Sequence, residues 1–289
     1  MASLKDIKRR IQSVKSTQKI TNAMKLVSAS KFAKASQAVQ SSRPYGKALD
    51  QVVENLVAAA GEDFESPFIK ASTSANRILV VVVGSDRGLC GAMNSGLFKL
   101  LESELSTGQF SGKDVTLVGW GKRPVQFSQR GLCPSLEGRE KVLADTSYFN
   151  AKQLASDLVD RFEKGEFEEI HIAFPKFKSA IEQIPTTRKL LPFDRSAGES
   201  SSEQSEFIVE PALGEVLDRL VKRWIISTVH RILLEGAASE HGARMSAMDN
   251  ATNNAKEVQK KLTLVYNRAR QAAITTELTE IISGAEALN

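Results

Sequence analysis

The chain has 289 residues, which is enough for about two folding units. Hydrophobic residues make up 42%, charged residues 25% and aromatic residues only 6%, so the composition argues against a disordered chain and against an aromatic nucleic-acid stacking platform. The two cysteines, Cys90 and Cys133, are too few and too far apart for a disulfide framework or a zinc site. The longest aliphatic run, residues 78–83, is far shorter than the roughly 20 residues that span a bilayer.

The excess of basic over acidic residues is confined to the N-terminal segment. The whole chain carries 39 Lys and Arg against 34 Asp and Glu, and residues 1–60 alone carry eleven against three. Such a segment can attract an acidic protein surface, anionic lipid or nucleic acid, although a solvated helix face explains the same pattern. A basic, amphipathic N-terminus is also typical of a mitochondrial transit peptide, but the uninterrupted periodicity favours a helix of the mature protein.

Both ends of the chain have the periodicity of long helices. In the N-terminal segment the heptad seam consists of Leu4, Ile7, Ile11, Val14, Gln18 and Thr21. A kink or short break is predicted at residues 43–46 because they include a proline and a glycine, and the helical period resumes to Gly61. The C-terminal helix is predicted to start at Glu210 and Pro211, and its later seam consists of Val258, Leu262, Val265, Ala269, Ala272, Thr276 and Thr279. A long amphipathic helix cannot bury its own stripe, so the two ends are expected to pair with each other.

The middle of the chain alternates strands and helices. Strands are predicted at 77–84, 114–119 and 169–174, and helices at about 93–105 and 151–162. This order favours a small α/β domain with a largely parallel sheet. A further strand is predicted at 183–193, where Pro185 and Pro192 are tolerated only at a sheet edge or at strand ends. The polar residues 196–209 are predicted to be a mobile linker.

No motif supports an active site. The glycines of residues 84–91 (GSDRGLCG) match neither the dinucleotide fingerprint nor the P-loop, so a tight strand-to-helix turn is favoured over a phosphate site. Cys90 has no histidine nearby in sequence to act as a base, and Asp86 is interpreted as a cap. His171, His230 and His241 are scattered and predict no metal site. We therefore expect no catalytic residue, cofactor or metal.

Several separate motifs, in order along the chain, resemble the gamma subunit of F-type ATP synthase, bacterial type. They are residues 4–11 (LKDIKRRI), 17–24 (TQKITNAM), 42–45 (SRPY), 85–91 (SDRGLCG), 243–248 (ARMSAM), 264–271 (LVYNRARQ) and 274–281 (ITTELTEI). The resemblance implies a long antiparallel two-helix coiled coil formed by the N- and C-terminal segments, plus a Rossmann-like α/β middle domain. The predicted domains are a coiled-coil helix over 1–61, the α/β domain over 75–195, the linker over 196–209 and a second coiled-coil helix over 210–289.

The resemblance also implies a function. Members of this family form the central stalk, a rotor without an active site of its own that couples proton flow through the membrane sector to ATP synthesis at the beta subunits. The implied partners are the alpha and beta subunits, the epsilon subunit and the c-subunit ring, with no nucleic acid. The chain is expected at the cytoplasmic face of the bacterial plasma membrane, bound to it only through the complex. The chain lacks the regulatory dithiol of chloroplast members, so redox control is not expected.

By resemblance, six residues are expected to contact partner subunits. Arg244 and Gln271 would bind carboxylates or polar groups of the beta subunits, with Met24 packed close by. Leu278, Ile281 and Ile282 would turn within a hydrophobic collar. The same comparison predicts that Met24 lies across from the Arg244 region and that residues after about Gln271 have no pairing partner within the chain.

Two other functions remain open from the residues alone. A free-standing nucleotide-binding α/β enzyme with helical extensions would use the middle domain but would need phosphate-binding geometry that the motifs lack. A basic coiled coil that binds DNA or lipid would use only the N-terminal segment. Only the rotor function uses all three parts of the chain.

Overall fold

The structure is a computed structural model that describes residues 3–60, 66, 68–70, 75–194 and 213–286. Its elements in chain order are α1 (Leu4–Ala59), β1 (Ile69–Lys70), β2 (Arg77–Val83), α2 (Met93–Ser106), β3 (Asp114–Trp120), α3 (Lys122–Ser128), a short 3₁₀ helix (Val142–Ala144), α4 (Tyr148–Glu163), β4 (Glu169–Phe177), β5 (Gln183–Leu191), β6 (Phe193–Asp194) and α5 (Leu213–Glu286). The linker predicted over 196–209, the helix start predicted at Glu210 and Pro211, and the helix end predicted at Gly61 lie outside the described residues.

Helix α1 is continuous through Pro44, so the structure excludes a break at 43–46, which was one of the two predicted alternatives. A proline inside a helix removes one backbone hydrogen bond and crowds the preceding turn. The residues that follow compensate for this loss, because Leu49, Val53, Leu56 and Val57 are all buried in the main hydrophobic core. Packing of the apolar stripe therefore outweighs the local preference of the proline.

The described chain forms two compact units. The smaller unit consists of residues 1–28 and 245–289, and the larger one of residues 29–244. Both long helices contribute residues to each unit.

In the smaller unit, α1 and α5 run antiparallel as a coiled-coil pair. The hydroxyl of Thr252 lies 2.8 Å from that of Thr21, and Lys25 Nζ donates to Asp249 Oδ1 at 2.7 Å. A later residue of α1 thus pairs with an earlier residue of α5. Lys25 lies level with Asp249, so the register is displaced by about one and a half helical turns from the predicted alignment of Met24 with the Arg244 region.

In the larger unit, a four-stranded sheet has the order β3-β2-β4-β5. Strand β2 pairs in parallel with both β3 and β4. Strand β5 lies at an edge of the sheet, one of the placements predicted from its prolines, and it runs antiparallel to β4. A second, two-stranded sheet pairs β1 with β6 in parallel. The alternation of strands and helices thus builds the predicted α/β domain.

Strand β2 is buried on both faces because helices cover the sheet on both sides. Leu79, Val81 and Val83 join the core shared with α1, α4 and α5, whereas Ile78, Val80 and Val82 face α2 and α3. All six side chains have no exposed surface. A run of consecutive aliphatic residues is typical of such a central parallel strand.

Candidate functional site

The turn between β2 and α2 comes at the carboxyl end of the central strand, where open α/β sheets commonly bind ligands. Its polar groups bond to one another. The Ser85 backbone N–H donates to Asn94 Oδ1 at 3.2 Å, the Asn94 amide donates to Ser85 Oγ at 2.7 Å, and Ser85 Oγ donates to the Arg87 carbonyl at 2.8 Å. Leu89 and Gly91 both have left-handed backbone conformations, with φ of 63° and 58°. The turn is therefore held in shape by its own side chains.

Asp86 ties this turn to two other segments. One carboxylate oxygen, Oδ1, accepts the backbone N–H of Lys122 at 2.9 Å and that of Lys141 at 2.8 Å. Lys122 is the first residue of α3, so Asp86 caps α3 and not the helix that follows it in sequence. The cap predicted at Asp86 exists, but it acts across the fold.

Cys90 is a packing residue in this turn. Its side chain is buried against Met93 and Ala243, and the Asn94 amide donates to its sulfur at 3.2 Å. The thiol is thus enclosed by the chain, as expected of a small core residue.

Helix α5 covers the turn through Arg244. The Arg244 guanidinium donates to the carbonyls of Arg87 and Gly88 at 3.3 to 3.4 Å and to Glu240 Oε1 at 2.8 Å. Arg244 and Glu240 are both buried. Burial raises the pKa of Glu240, and the neighbouring Asp86 raises it further, while Arg244 and Lys31 oppose that rise.

The same helix covers the carboxyl end of β4. Ser239 Oγ donates to the Pro175 carbonyl at 2.9 Å, and Glu235 accepts the Phe177 backbone N–H at 3.2 Å. The two carboxyl ends that flank the switch point of the sheet, those of β2 and β4, therefore contact side chains of α5. A dinucleotide would bind beside these strand ends, where side chains of α5 bond to the turn after β2 and to the end of β4.

Sequence comparison places the chain in a family. A family model described as ATP synthase matches residues 3–288. The ATP synthase gamma chains of Erythrobacter litoralis and Paracoccus denitrificans are each 42% identical to this chain, and both alignments cover 100% of both chains. This chain belongs to the ATP synthase gamma-chain family.

Solved structures agree with a gamma-chain fold. A chain from the Euglena gracilis mitochondrial ATP synthase, in a structure of its OSCP/F1/c-ring assembly, matches with a TM-score of 0.70 and 18% identity over 99% of this chain and 94% of that chain. A chain from the Tetrahymena thermophila central stalk/c-ring structure matches with a TM-score of 0.59 and 24% identity over 80% of this chain and 99% of that chain. At such low identity the two matches bear on the fold alone.

The six residues predicted to contact partners have different environments in this gamma chain. Arg244 is buried and directs its hydrogen bonds to groups of its own chain. Met24 is half-buried and Gln271 is exposed. Leu278, Ile281 and Ile282 are 55%, 67% and 59% exposed, and every residue from 274 to 284 is exposed, as predicted for a segment without a partner in the chain. The partner contacts themselves stay predictions.

A half-buried histidine, His241, lies beside Arg244. The pKa of His241 is lowered to about 4 by burial and by the nearby charges of Arg244 and Lys31. Its Nδ1 atom is buried and has no hydrogen-bond partner among the described residues. His241 is therefore neutral at pH 7.

Sequence reasoning missed two buried polar clusters. In the first, Glu169 accepts hydrogen bonds from His171 at 2.9 Å and from Lys189 at 2.8 Å. Burial acts to raise the pKa of Glu169, but these two hydrogen bonds outweigh it and hold the pKa below its usual value. The second joins Asp50 to Trp224 and Arg231. The only sequence signal for either cluster is a charged residue within an otherwise apolar stripe.

Neither a membrane-spanning helix nor a metal-binding cluster is found among the described residues. No helix within the described ranges combines the length and the apolarity needed to cross a membrane. In the part of the chain that the structure describes, no group of three or more His, Cys, Asp or Glu side chains is placed to hold a metal ion.

Proposed function

We propose that this gamma chain is the central-stalk, rotor subunit of an F-type ATP synthase. It couples proton flow through the membrane sector to ATP synthesis at the beta subunits by rotation, and it carries no active site of its own. The observation that carries the proposal is the 42% identity to bacterial ATP synthase gamma chains along their entire length. Two chains that share this fold come from a central stalk/c-ring structure and from a rotor structure of mitochondrial ATP synthases, which is consistent with the same role.

Coupling by rotation requires an uneven surface. A shaft with the same interaction energy in every orientation cannot shift the nucleotide affinities of the three beta subunits. The chain supplies unevenness of two kinds: an excess of basic residues in residues 1–60 and an exposed apolar stretch at the end of α5 that contains Leu278, Ile281 and Ile282. Charged groups give orientation-dependent attraction to carboxylates, and the apolar end suits a hydrophobic collar.

The proposed partners are the alpha and beta subunits around the helical pair, and the epsilon subunit and c ring at the α/β domain. Met24, Arg244 and Gln271 are proposed to contact the beta subunits. A beta-subunit carboxylate that binds Arg244 would have to share the guanidinium with Glu240. The chain is proposed to lie at the cytoplasmic face of the bacterial plasma membrane and to associate with it through the complex.

Isolation of the complex tests the proposal. An affinity-tagged chain is expressed in its bacterial host, membranes are extracted with mild detergent, and the captured proteins are identified by mass spectrometry. We expect the alpha, beta, epsilon and c subunits in constant proportion, and none of them from membranes with an untagged chain. Recovery of this chain alone, or with unrelated enzymes, would contradict the proposal.

The nucleotide-binding enzyme makes the opposite prediction for the purified chain. Calorimetry with ATP and with NADH would then give tight, stoichiometric binding. We expect no such binding, because α5 side chains contact the carboxyl ends of β2 and β4 where a nucleotide would bind.

A further inference from the structure

Two helices of the larger unit, α1 and α5, meet at Asp50. This residue of α1 accepts hydrogen bonds from both terminal nitrogens of Arg231 on α5, at 2.8 and 3.3 Å. The indole N–H of Trp224, two turns earlier on α5, donates to Asp50 Oδ1 at 2.7 Å. The Asp50 and Arg231 side chains are only 25% and 16% exposed. The two helices are thus joined by a shielded two-point ion pair and a third hydrogen bond.

Trp224 connects this pair to the sheet. The guanidinium of Arg188, on the edge strand β5, lies over the Trp224 ring at 5.5 Å, and the Phe193 ring meets it edge-on at 5.0 Å. Burial lowers the pKa of Arg188, the nearby Arg231 lowers it further, and the carboxylates around it oppose the shift. One aromatic side chain therefore contacts α1 on its polar edge and β5 on its face.

Gly46 makes room for the ion pair. A Cβ atom at this position would lie 2.5 Å from Arg231 Nη1 and 2.7 Å from Arg231 Cδ. Glycine is a poor helix former, yet it stands inside the long helix α1, one turn before Asp50. A poor helix former thus stands in α1 at the position where Arg231 comes close to this helix.

The hydrogen bonds between Asp50 and Arg231 fix the orientation of α1 relative to α5 more specifically than apolar packing alone. Apolar stripes hold two helices together but resist sliding or rotation only weakly, whereas a guanidinium and a carboxylate that share two hydrogen bonds fix both distance and orientation. Shielded ion pairs are often no more stabilising than well-packed apolar residues, and their best-attested use is to fix one geometry.

We propose that Asp50, Arg231, Trp224 and Arg188 form a torque-bearing joint that fixes α1 and α5 to the sheet of the α/β domain. This inference rests on the proposed rotor function. The four side chains are positioning residues: they touch no substrate, and they keep the helical pair from turning independently of the domain that is driven by the c ring. A weakened joint allows the shaft to slip, so ATP hydrolysis continues while proton movement falls.

The test uses the complete ATP synthase in membrane vesicles, with the chain carrying Asp50→Asn. This variant keeps a side-chain oxygen for Trp224 and loses the charge that binds Arg231. We expect the ratio of ATP-driven proton pumping to ATP hydrolysis to fall several-fold, at equal amounts of assembled chain measured by immunoblot. The control, Glu168→Gln, breaks the Arg77–Glu168 pair within the α/β domain and should leave the ratio unchanged.

A double variant distinguishes the loss of the ion pair from the cost of leaving the Arg231 charge without a partner. Asp50→Asn alone leaves the Arg231 charge shielded without its partner, and that cost disappears in Asp50→Asn with Arg231→Gln. If the ion pair bears torque, the double variant stays uncoupled. If the single variant only suffers from an unpaired charge, the double variant recovers wild-type coupling, and the proposal is overturned.

The two proposals fail in different ways. An unchanged ratio in Asp50→Asn vesicles, or an equal fall in pumping and hydrolysis, overturns the joint and leaves the rotor function standing. If vesicles depleted of the wild-type chain pump protons as well as untreated ones, the rotor function fails and the joint fails with it.

Discussion

Arg244 holds the turn between β2 and α2 in place within this chain. Its guanidinium contacts two carbonyls of that turn and the buried Glu240 carboxylate. Removing one member of a buried ion pair is far more costly than the pair is stabilising, because the remaining charge is left without a partner.

We therefore predict that Arg244→Ala lowers the free energy of unfolding of the full chain by about 3 kcal/mol at pH 8. Denaturant unfolding followed by tryptophan fluorescence measures this, since Trp120 and Trp224 both belong to the larger unit. Arg219→Ala is the control: its side chain is 84% exposed and only weakly paired, at 3.9 Å from Glu215, so a change within about 0.5 kcal/mol is expected. Equal effects of the two variants would contradict the role of Arg244.

His241 predicts a dependence of stability on pH. Its pKa is about 4 in the folded chain, because of burial and of the charges of Arg244 and Lys31, and about 6.5 when unfolded. Between these values the unfolded chain binds more protons, so this contribution is fully present above pH 6.5 and is lost as the pH falls toward 4. Since His241 is only half-buried, we expect His241→Gln to remove about 1 kcal/mol of the stability difference between pH 7 and pH 5.

The measurement is denaturant unfolding of wild type and His241→Gln at the two pH values. The pKa values of His171 and His230 are also lowered, in both cases mainly by burial, so the variant should keep a reduced slope. An identical slope for the two proteins would show that His241 does not titrate as its environment requires.

The hydrophobic periodicity of the sequence predicted most of the helices and strands. The consecutive aliphatic residues of β2 indicated a central strand, and Pro185 indicated an edge position for β5, because burial on both faces and a missing N–H group are local properties of the sequence. The alternative of a break at Pro44 was wrong because the cost of the proline is local, whereas the burial of Val53 and Val57 that outweighs it depends on the sheet.

The candidate site was less predictable than the fold. The bond from Arg244 to the Gly88 carbonyl joins residues 156 positions apart, and that from Asp50 to Arg231 joins residues 181 positions apart. No local pattern encodes such pairs. The coiled-coil register was also misplaced, since heptad seams with small residues such as Thr21 and Ala255 accept more than one alignment.

Two glycines inside helices, Gly96 and Gly46, are predicted to respond in opposite ways to replacement by alanine. Ala normally stabilises a helix interior by about 0.5 to 1 kcal/mol over Gly. A Cβ at Gly96 of α2 would make only an ordinary contact, 3.5 Å from Pro185 Cγ, so Gly96→Ala should show that gain. Gly46→Ala should instead destabilise by about 1 to 3 kcal/mol, because Arg231 must leave Asp50 to admit the methyl group. Thermal unfolding of both variants checks this, and a gain for Gly46→Ala would contradict it.

For the whole molecule, the exposed end of α5 is expected to matter for assembly of the ATP synthase and not for folding of the chain. Leu278, Ile281 and Ile282 are each more than half exposed, so changing all three to Ser should alter the free energy of unfolding of the chain by less than about 1 kcal/mol. The same change at Leu233, which is fully buried on the same helix, should cost about 2 to 5 kcal/mol. In the ATP synthase the triple variant should lower assembly or activity, because the hydrophobic collar loses its contact. Normal activity would argue against that collar.

The central claim is that this chain turns within the catalytic hexamer. The most direct test is single-molecule rotation of the chain assembled with alpha and beta subunits that are fixed to a surface. A bead is attached through a cysteine introduced at the exposed Lys152 of α4, with Cys133 changed to Ser. On addition of ATP, the account predicts rotation in one direction with three equal pauses per turn, one for each beta subunit. Beads that show only Brownian motion, on complexes that still hydrolyse ATP, would contradict it.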